Sequence, residues 1–142
     1  MKSFYGKTFI CLTVLMLFIT SCNNRVRSVI KIPELLLVYS TDNGINYENL
    51  LNKAIEGDMD AIRGFALLEF RDAVAYDHGS VMVEMISIIG EDVFISSLSS
   101  ITKKQKLFVK GYIEAGLEYG NDKSLRPDFK SVFPRIYSFL CE

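Results

Sequence analysis

The only histidine of the 142-residue chain, His78, directly follows Asp77, and Glu84 stands six positions later. An aspartate beside a histidine can act as an acid–base pair, and these three residue types are also common zinc ligands. Adjacent residues on a helix point about 100° apart, so Asp77 and His78 would converge only in a loop. The sequence therefore favours a structural interpretation, in which Asp77 or Ser80 caps a helix and His78 faces solvent or bonds a backbone carbonyl.

Other catalytic chemistries have weaker support. No Gly-x-Ser-x-Gly motif occurs, and a nucleophilic serine would have to recruit the same histidine. Gly111 and Gly116 are not followed by the Lys-Ser or Lys-Thr of a phosphate-binding loop and fall inside a predicted helix, so we expect them to allow close helix packing. No calcium-binding loop is present either. We expect no catalysis, no cofactor and no metal.

One local basic cluster consists of Lys103, Lys104, Lys106 and Lys110. It stands at a predicted helix start, where the helix dipole disfavours cations. Such a placement can indicate an anionic partner or phospholipid headgroups, which makes Lys103, Lys106 and Lys110 candidate partner contacts. Glu114 lies on the same polar side of the helix, so an ordinary solvated face is the alternative.

Residues 1–22 carry the pattern of an export signal. Lys2 and Lys7 give a positively charged start, and an apolar run of about a dozen residues follows. A membrane-spanning helix needs about 20 apolar residues, whereas a dozen is the length of a secretory signal's apolar region. The stretch Ile19–Cys22 then reads Ile-Thr-Ser-Cys: one apolar residue, two small residues and a cysteine.

This order resembles the lipobox of bacterial lipoproteins. The resemblance implies that the Cys22 thiol receives a diacylglycerol, that cleavage falls just before it, and that its new amino group is acylated too. Each buried methylene contributes about 0.8 kcal/mol, so several chains would hold the protein to membrane lipid without a spanning helix. Asn23 is not the aspartate that retains lipoproteins in the inner membrane, so the resemblance favours the outer membrane, facing the periplasm. The alternative is an ordinary signal peptide or a buried helix with an incidental cysteine.

Cleavage before Cys22 would leave 121 residues and change the formal net charge from −1 to −3. A mildly acidic chain without an arginine-rich tract attracts phosphates weakly, so we expect no nucleic-acid partner. Cys11 would leave with the signal and Cys22 would carry lipid, so Cys141 alone could form no disulfide within the chain. We predict three segments: a signal peptide at 1–21, a lipidated tether at 22–32 and one domain at 33–142.

Hydrophobic periodicity predicts helices throughout that domain. The apolar run 35–39 is too short to separate strand from helix, and Pro33 before it favours a helix. Asn46 and Asp58 are predicted N-caps, and Thr102 with Gln105 has the spacing of a capping box.

Longer stretches give predictions of helix extent. We expect one helix from about Met59 to at least Phe70 and a central core helix around Val81–Ile89, with a break at Pro134. Glycines predicted to end helices recur at intervals of 33 and 30 residues: Gly57, Gly90 and Gly120. The predicted fold class is therefore all-α, a compact stack of helical hairpins with a HEAT-like layout but no family motif.

Taken together, the residues predict an envelope lipoprotein whose helical domain binds another protein and performs no catalysis. An immunity-type inhibitor of an envelope-acting toxin, or an accessory factor of an envelope complex, would suit its size and location. The alternative from a different class is a small envelope enzyme or metal-binding protein that uses Asp77, His78 and Glu84.

Overall fold

A computed structural model describes residues 30–120 and 128–141 of the chain. The predicted signal peptide, Cys22 and most of the predicted tether lie outside the described residues. All regular structure in the described ranges is helical, which confirms the predicted all-α class. The helices are α1 Glu34–Asp42, α2 Tyr47–Ile55, α3 Met59–Ala66, α4 Asp72–Ile89, α5 Glu91–Ser97, α6 Lys103–Tyr119, α7 Phe129–Val132 and α8 Pro134–Cys141.

The predicted helix starts are confirmed by side-chain caps. The Asn46 side chain accepts a hydrogen bond from a backbone N–H of α2 at 3.2 Å, and that of Asp58 accepts from two N–H groups of α3, each at 3.0 Å. Thr102 and Gln105 form the predicted reciprocal capping box at the start of α6. Each cap satisfies backbone donors that have no partner within the helix itself.

Three further local predictions are confirmed. The run 35–39 is helical, inside α1. Gly57 follows α2 with φ +90°, a left-handed conformation that glycine adopts without steric cost, and Gly90 separates α4 from α5 with φ +83°. Pro134 opens α8 after the short helix α7, as its missing N–H and fixed φ require.

The predicted extents of two helices are wrong. α3 ends at Ala66 instead of reaching Phe70, because the Phe70 N–H donates to the Tyr112 hydroxyl at 2.8 Å rather than to a helical carbonyl. α4 begins at Asp72, nine residues earlier than Val81. Asp72 has φ +53°, which lets the chain reverse directly from the preceding turn into α4.

α4 is the central helix of the described structure. It contacts α1, α2, α5 and α6, and its contact with α6 is the most extensive between any two helices. This confirms the predicted core position of Val81–Ile89. The HEAT-like layout is not confirmed, because α4 has 18 residues and its sequence neighbour α5 has seven, so they do not form a matched hairpin.

The C-terminal helix α8 is held against the body by acidic residues of α5. The Glu91 carboxylate accepts hydrogen bonds from the backbone N–H groups of Arg135, at 2.9 Å, and Ile136, at 2.8 Å. Asp92 forms an ion pair with the Arg135 side chain. Glu91 therefore caps a helix 44 residues further along the chain, as well as standing at the start of its own.

Candidate functional site

The side chain of His78 is fully buried on the inner face of α4. Its Nδ1 lies 2.8 Å from the hydroxyl of Tyr47, which is itself 1% exposed. The expectation that His78 faces solvent is therefore wrong, and Nδ1 bonds a side chain rather than a backbone carbonyl. Four aromatic rings surround the imidazole with centroid distances of 4.8 to 5.7 Å: Tyr47, Phe65, Phe70 and Tyr112.

Burial decides the protonation states of this pair. It lowers the pKa of His78 to about 3, and the nearby Phe65 carbonyl only partly opposes that effect. Burial likewise raises the pKa of Tyr47 well above its usual range. At neutral pH the imidazole is therefore uncharged and the phenol keeps its proton.

With both rings uncharged, the number of buried polar atoms left without a partner indicates which ring donates the hydrogen bond. If the Tyr47 hydroxyl donates to Nδ1, the proton of the imidazole lies on Nε2, beside the Phe65 carbonyl. In this arrangement only the Nε2–H group lacks a well-formed partner among the described residues. If Nδ1 donated instead, both the hydroxyl proton and Nε2 would be unsatisfied. The first arrangement leaves fewer buried polar atoms without partners, so Tyr47 is the donor.

The three residues of the catalytic alternative do not come together. His78 is buried, whereas Asp77 and Glu84 are half-buried at other angles around α4. No group of three histidine, cysteine, aspartate or glutamate side chains in the described ranges is placed to hold a metal ion. Partial burial raises the pKa of the Asp77 carboxyl, but no described cation lies against it in an ion pair.

The capping role predicted for Asp77 or Ser80 is also wrong. Because α4 begins at Asp72, both residues lie inside the helix. The Ser80 hydroxyl donates to the Tyr76 carbonyl, 3.1 Å away and one turn earlier. This is the usual bond of a serine within a helix rather than at its start.

Tyr112 of α6 fastens the turn between α3 and α4. Its hydroxyl accepts from the Phe70 N–H at 2.8 Å and donates to the Leu68 carbonyl at 3.1 Å. Burial raises the pKa of this hydroxyl, so it stays protonated and able to donate. This turn places the Phe70 ring against His78. Tyr112 therefore links the packing of α6 to the aromatic rings around His78.

Two glycines let α4 and α6 cross at close range. A methyl group on Gly79 would overlap the backbone carbonyl of Tyr112, and one on Gly116 would overlap the carbonyl of Gly79. A methyl group on Gly111 would meet no described atom within 4 Å. The predicted packing role is therefore right for Gly116 and wrong for Gly111.

The basic cluster is divided between internal contacts and solvent. The Lys106 ammonium donates to the Phe139 carbonyl at 2.7 Å and lies 4.2 Å from the centre of the Phe139 ring. Lys110 lies 3.6 Å from Glu114, whose charge raises the pKa of the lysine. Lys103 is exposed. Two of the three candidate partner contacts thus hold or border α8, and Lys103 remains accessible.

A cleft of about 340 Å³ lies between the turn after α3 and the first turns of α6. On one side of α6, Lys104, Leu107 and Phe108 follow each other at helical spacing. Leu107 is 59% exposed, the largest exposed fraction of any described large apolar side chain. We define the α6 surface by the following residues: Leu67, Glu69, Lys104, Leu107 and Phe108.

A second apolar surface lies on α1, and the sequence interpretation missed it. Leu35, Val38 and Tyr39 are 53%, 52% and 38% exposed, whereas Leu36 and Ser40 on the opposite side are fully buried. We call the first three the outer face of α1. A signal was available, since a helix of 3.6 residues per turn cannot bury five consecutive apolar residues on one side.

Comparison with protein-family models, curated proteins and solved structures found no match for this chain. Within the described ranges, no helix combines the length and apolar character that crossing a bilayer requires. The Cys141 thiol is exposed near the end of α8.

Proposed function

We propose that this protein is a lipid-anchored component of the bacterial cell envelope whose helical domain binds a protein partner without catalysing a reaction. The anchoring part rests on the charged start, short apolar run and Ile19–Cys22 motif of the sequence. In this proposal Cys22 carries the lipid, and the domain faces the periplasm from the outer membrane.

The binding part rests on one observation, the α6 surface. It combines an apolar side chain that stands out from the helix, Leu107, with a cleft in which Phe108 lies beside Glu69 and Lys104. Protein interfaces commonly contain such an apolar anchor next to a pocket, bordered by polar groups that set orientation. Exposed Lys103, the residue before Lys104, adds a second cation next to this surface.

The position of His78 supports binding rather than catalysis. An acid–base residue must reach the molecule whose proton it moves, and in this structure the imidazole is enclosed by aromatic rings. Its hydrogen bond to Tyr47 joins α4 to α2 and gives the residue a role in packing.

The partner we propose is another envelope protein. An inhibitor of an envelope-acting toxin and an accessory factor of an envelope complex both require a small anchored domain with one accessible surface. Nucleic acid is disfavoured by the net charge of −3 that the chain would carry after cleavage.

Anchoring is tested by mass and labelling in a bacterial host. Protein with native cysteines is expected to incorporate labelled fatty acid and to have an intact mass that begins at acylated Cys22. The variant Cys22→Ser is expected to lose the label, whereas Cys141→Ser, which changes the exposed thiol of α8, keeps it. An unmodified Cys22 with the preceding segment still attached would refute the anchoring proposal.

Partner binding is tested by photocrosslinking in intact host cells. A benzophenone amino acid at Lys104 or Leu107 is expected to give a discrete adduct, and the same probe at exposed Lys53 or Glu56 of the α2 region is not. Leu107→Asp is expected to abolish the adduct formed from position 104. If all four positions gave the same adducts, or if Leu107→Asp left the adduct unchanged, the α6 surface would not be the binding site.

A further inference from the structure

We infer that the outer face of α1 lies in the headgroup region of an anionic phospholipid surface, next to the lipid anchor. This inference rests on the proposed acylation of Cys22 and adds to it an orientation of the domain on the membrane. Three observations carry it: the exposure of α1, the distance along the chain to the anchor, and the distribution of charge.

The first observation is that α1 is apolar on both sides but buried on only one. Leu36 and Ser40 face the core, while Leu35 and Val38 are each more than half exposed. Tyr39 is 38% exposed, and its ring packs edge-on against Phe70 at 5.8 Å, so the core fixes its position. Exposed apolar area of this kind favours contact with something that removes it from water.

The second observation is the short distance from α1 to Cys22. Ile30, the first described residue, is 4% exposed and belongs to the core, so the packed body begins there. Ile30 is eight positions after Cys22, and a fully extended chain spans at most about 3.6 Å per residue, or about 29 Å over eight steps. A lipid on Cys22 would therefore keep the N-terminal end of α1 close to the membrane surface.

The third observation is that the charges of the chain are divided along its length. Residues 22–33 contain Arg25, Arg27 and Lys31 and no acidic residue, whereas residues 34–142 carry a net charge of −6. Anionic headgroups attract the first segment and repel most of the second. This asymmetry favours an orientation in which the domain approaches the membrane through the end that bears α1.

The composition of the outer face suits an interface better than a hydrocarbon interior. Tyrosine has an apolar ring and a polar hydroxyl, and such side chains are enriched where lipid meets water. Asp42, on the same side of α1 one turn beyond Tyr39, ends the apolar surface. The apolar part is thus the N-terminal turn and a half, the end nearest the anchor.

The test uses the lipidated protein in vesicles that contain phosphatidylglycerol. In a Cys141→Ser background, a nitroxide is attached at Val38→Cys or, as a matched control, at Leu107→Cys on the exposed α6 surface. Reconstitution is expected to make the Val38 probe several-fold less accessible to a water-soluble nickel chelate and more accessible to oxygen. The Leu107 probe is expected to keep its nickel accessibility.

Intact mass of the same samples separates the two hypotheses. If Cys22 were unmodified, the anchoring proposal would fail. If Cys22 were acylated and the Val38 probe stayed as nickel-accessible as the Leu107 probe, the orientation alone would be refuted. Shielding of both probes would refute it too, and so would shielding of Val38 only in native envelopes, which would indicate a protein occupant.

A change of lipid tests the electrostatic step. In vesicles of phosphatidylcholine alone, the three cations of residues 22–33 meet no anionic headgroups, so protection of the Val38 probe is expected to weaken. Equal protection in both kinds of vesicle would overturn the role assigned to those charges.

Discussion

The close crossing of α4 and α6 predicts that one substitution, glycine to alanine, raises stability at one position of α6 and lowers it at another. Replacing glycine by alanine inside a helix normally stabilises it, because alanine loses less backbone freedom on folding. Gly111 and Gly116 lie in the same helix, α6, five residues apart. A methyl group on Gly111 meets open space, whereas one on Gly116 overlaps the backbone of Gly79. The same substitution should therefore have opposite effects at the two positions.

The magnitudes follow from two competing free energies. Alanine is better than glycine in a helix interior by about 1 kcal/mol, so Gly111→Ala should raise the free energy of unfolding by up to that amount. Overpacking typically costs about 1–3 kcal/mol. At Gly116 the obstructing atoms belong to the backbone, which cannot rotate aside, so the cost of overpacking lies at the upper end of this range. The net loss for Gly116→Ala is then about 2 kcal/mol, and the two variants should differ by about 3 kcal/mol.

The assay is urea unfolding of the Cys22→Ser protein, followed by far-ultraviolet circular dichroism. Gly79→Ala should also destabilise, and the double variant Gly79→Ala with Gly116→Ala should lose less than the sum, because one separation of the helices accommodates both methyl groups. If Gly116→Ala were as stable as Gly111→Ala, α4 and α6 would not cross as closely as the backbone contact between Gly79 and Gly116 requires.

Three further predictions concern buried or capping groups. Because burial lowers the pKa of His78 to about 3, the unfolded chain binds an extra proton from about pH 6.5 downward, and the free energy of unfolding should fall by up to about 1.4 kcal/mol per pH unit on acidification. His78→Gln should flatten this dependence in urea titrations between about pH 6.5 and 5, and an unchanged slope would contradict it. Tyr112→Phe removes the acceptor of the buried Phe70 N–H and should lower the free energy of unfolding by about 1–3 kcal/mol in the same assay. The control Tyr137→Phe should lower it by less than about 0.5 kcal/mol, and equal losses would refute the contact between Tyr112 and the turn. Glu91→Ala should lower the free energy of unfolding measured in thermal melts by about 1 kcal/mol, because α8 loses its cap. Asp92→Ala removes an exposed ion pair and should lower it by less than about 0.5 kcal/mol. A larger loss for Asp92→Ala than for Glu91→Ala would contradict the capping role of Glu91.

Features whose physics is local were predictable from the sequence. The N-caps Asn46 and Asp58 and the box formed by Thr102 and Gln105 act within three residues of themselves, so their residue types suffice to locate helix starts. The left-handed glycine after α2 is local in the same sense. Hydrophobic periodicity identified the central position of α4 because it reflects how much of a helix can be buried.

Features that depend on distant partners were not predictable. The partner of His78 is 31 residues away, and the hydroxyl that binds the turn after α3 is 42 residues from Phe70. The carbonyl that binds Lys106 is 33 residues away, and the helix capped by Glu91 begins more than 40 residues later. One sequence supplies no signal for such pairings. The outer face of α1 differs, because five consecutive apolar residues in a helix exceed what one side can bury, and the sequence alone indicates that surplus.

The contacts of the polar side chains are consistent with the proposal that the domain binds a partner without catalysis. Catalysis requires titratable groups that meet both one another and a bound molecule. In the described structure His78 is occupied by Tyr47, Glu91 by the start of α8, and Lys106 by the end of that helix. Exposed apolar side chains remain on the α6 surface and on the outer face of α1. Covering either surface would remove from water area that folding leaves exposed, and this requires no reacting group.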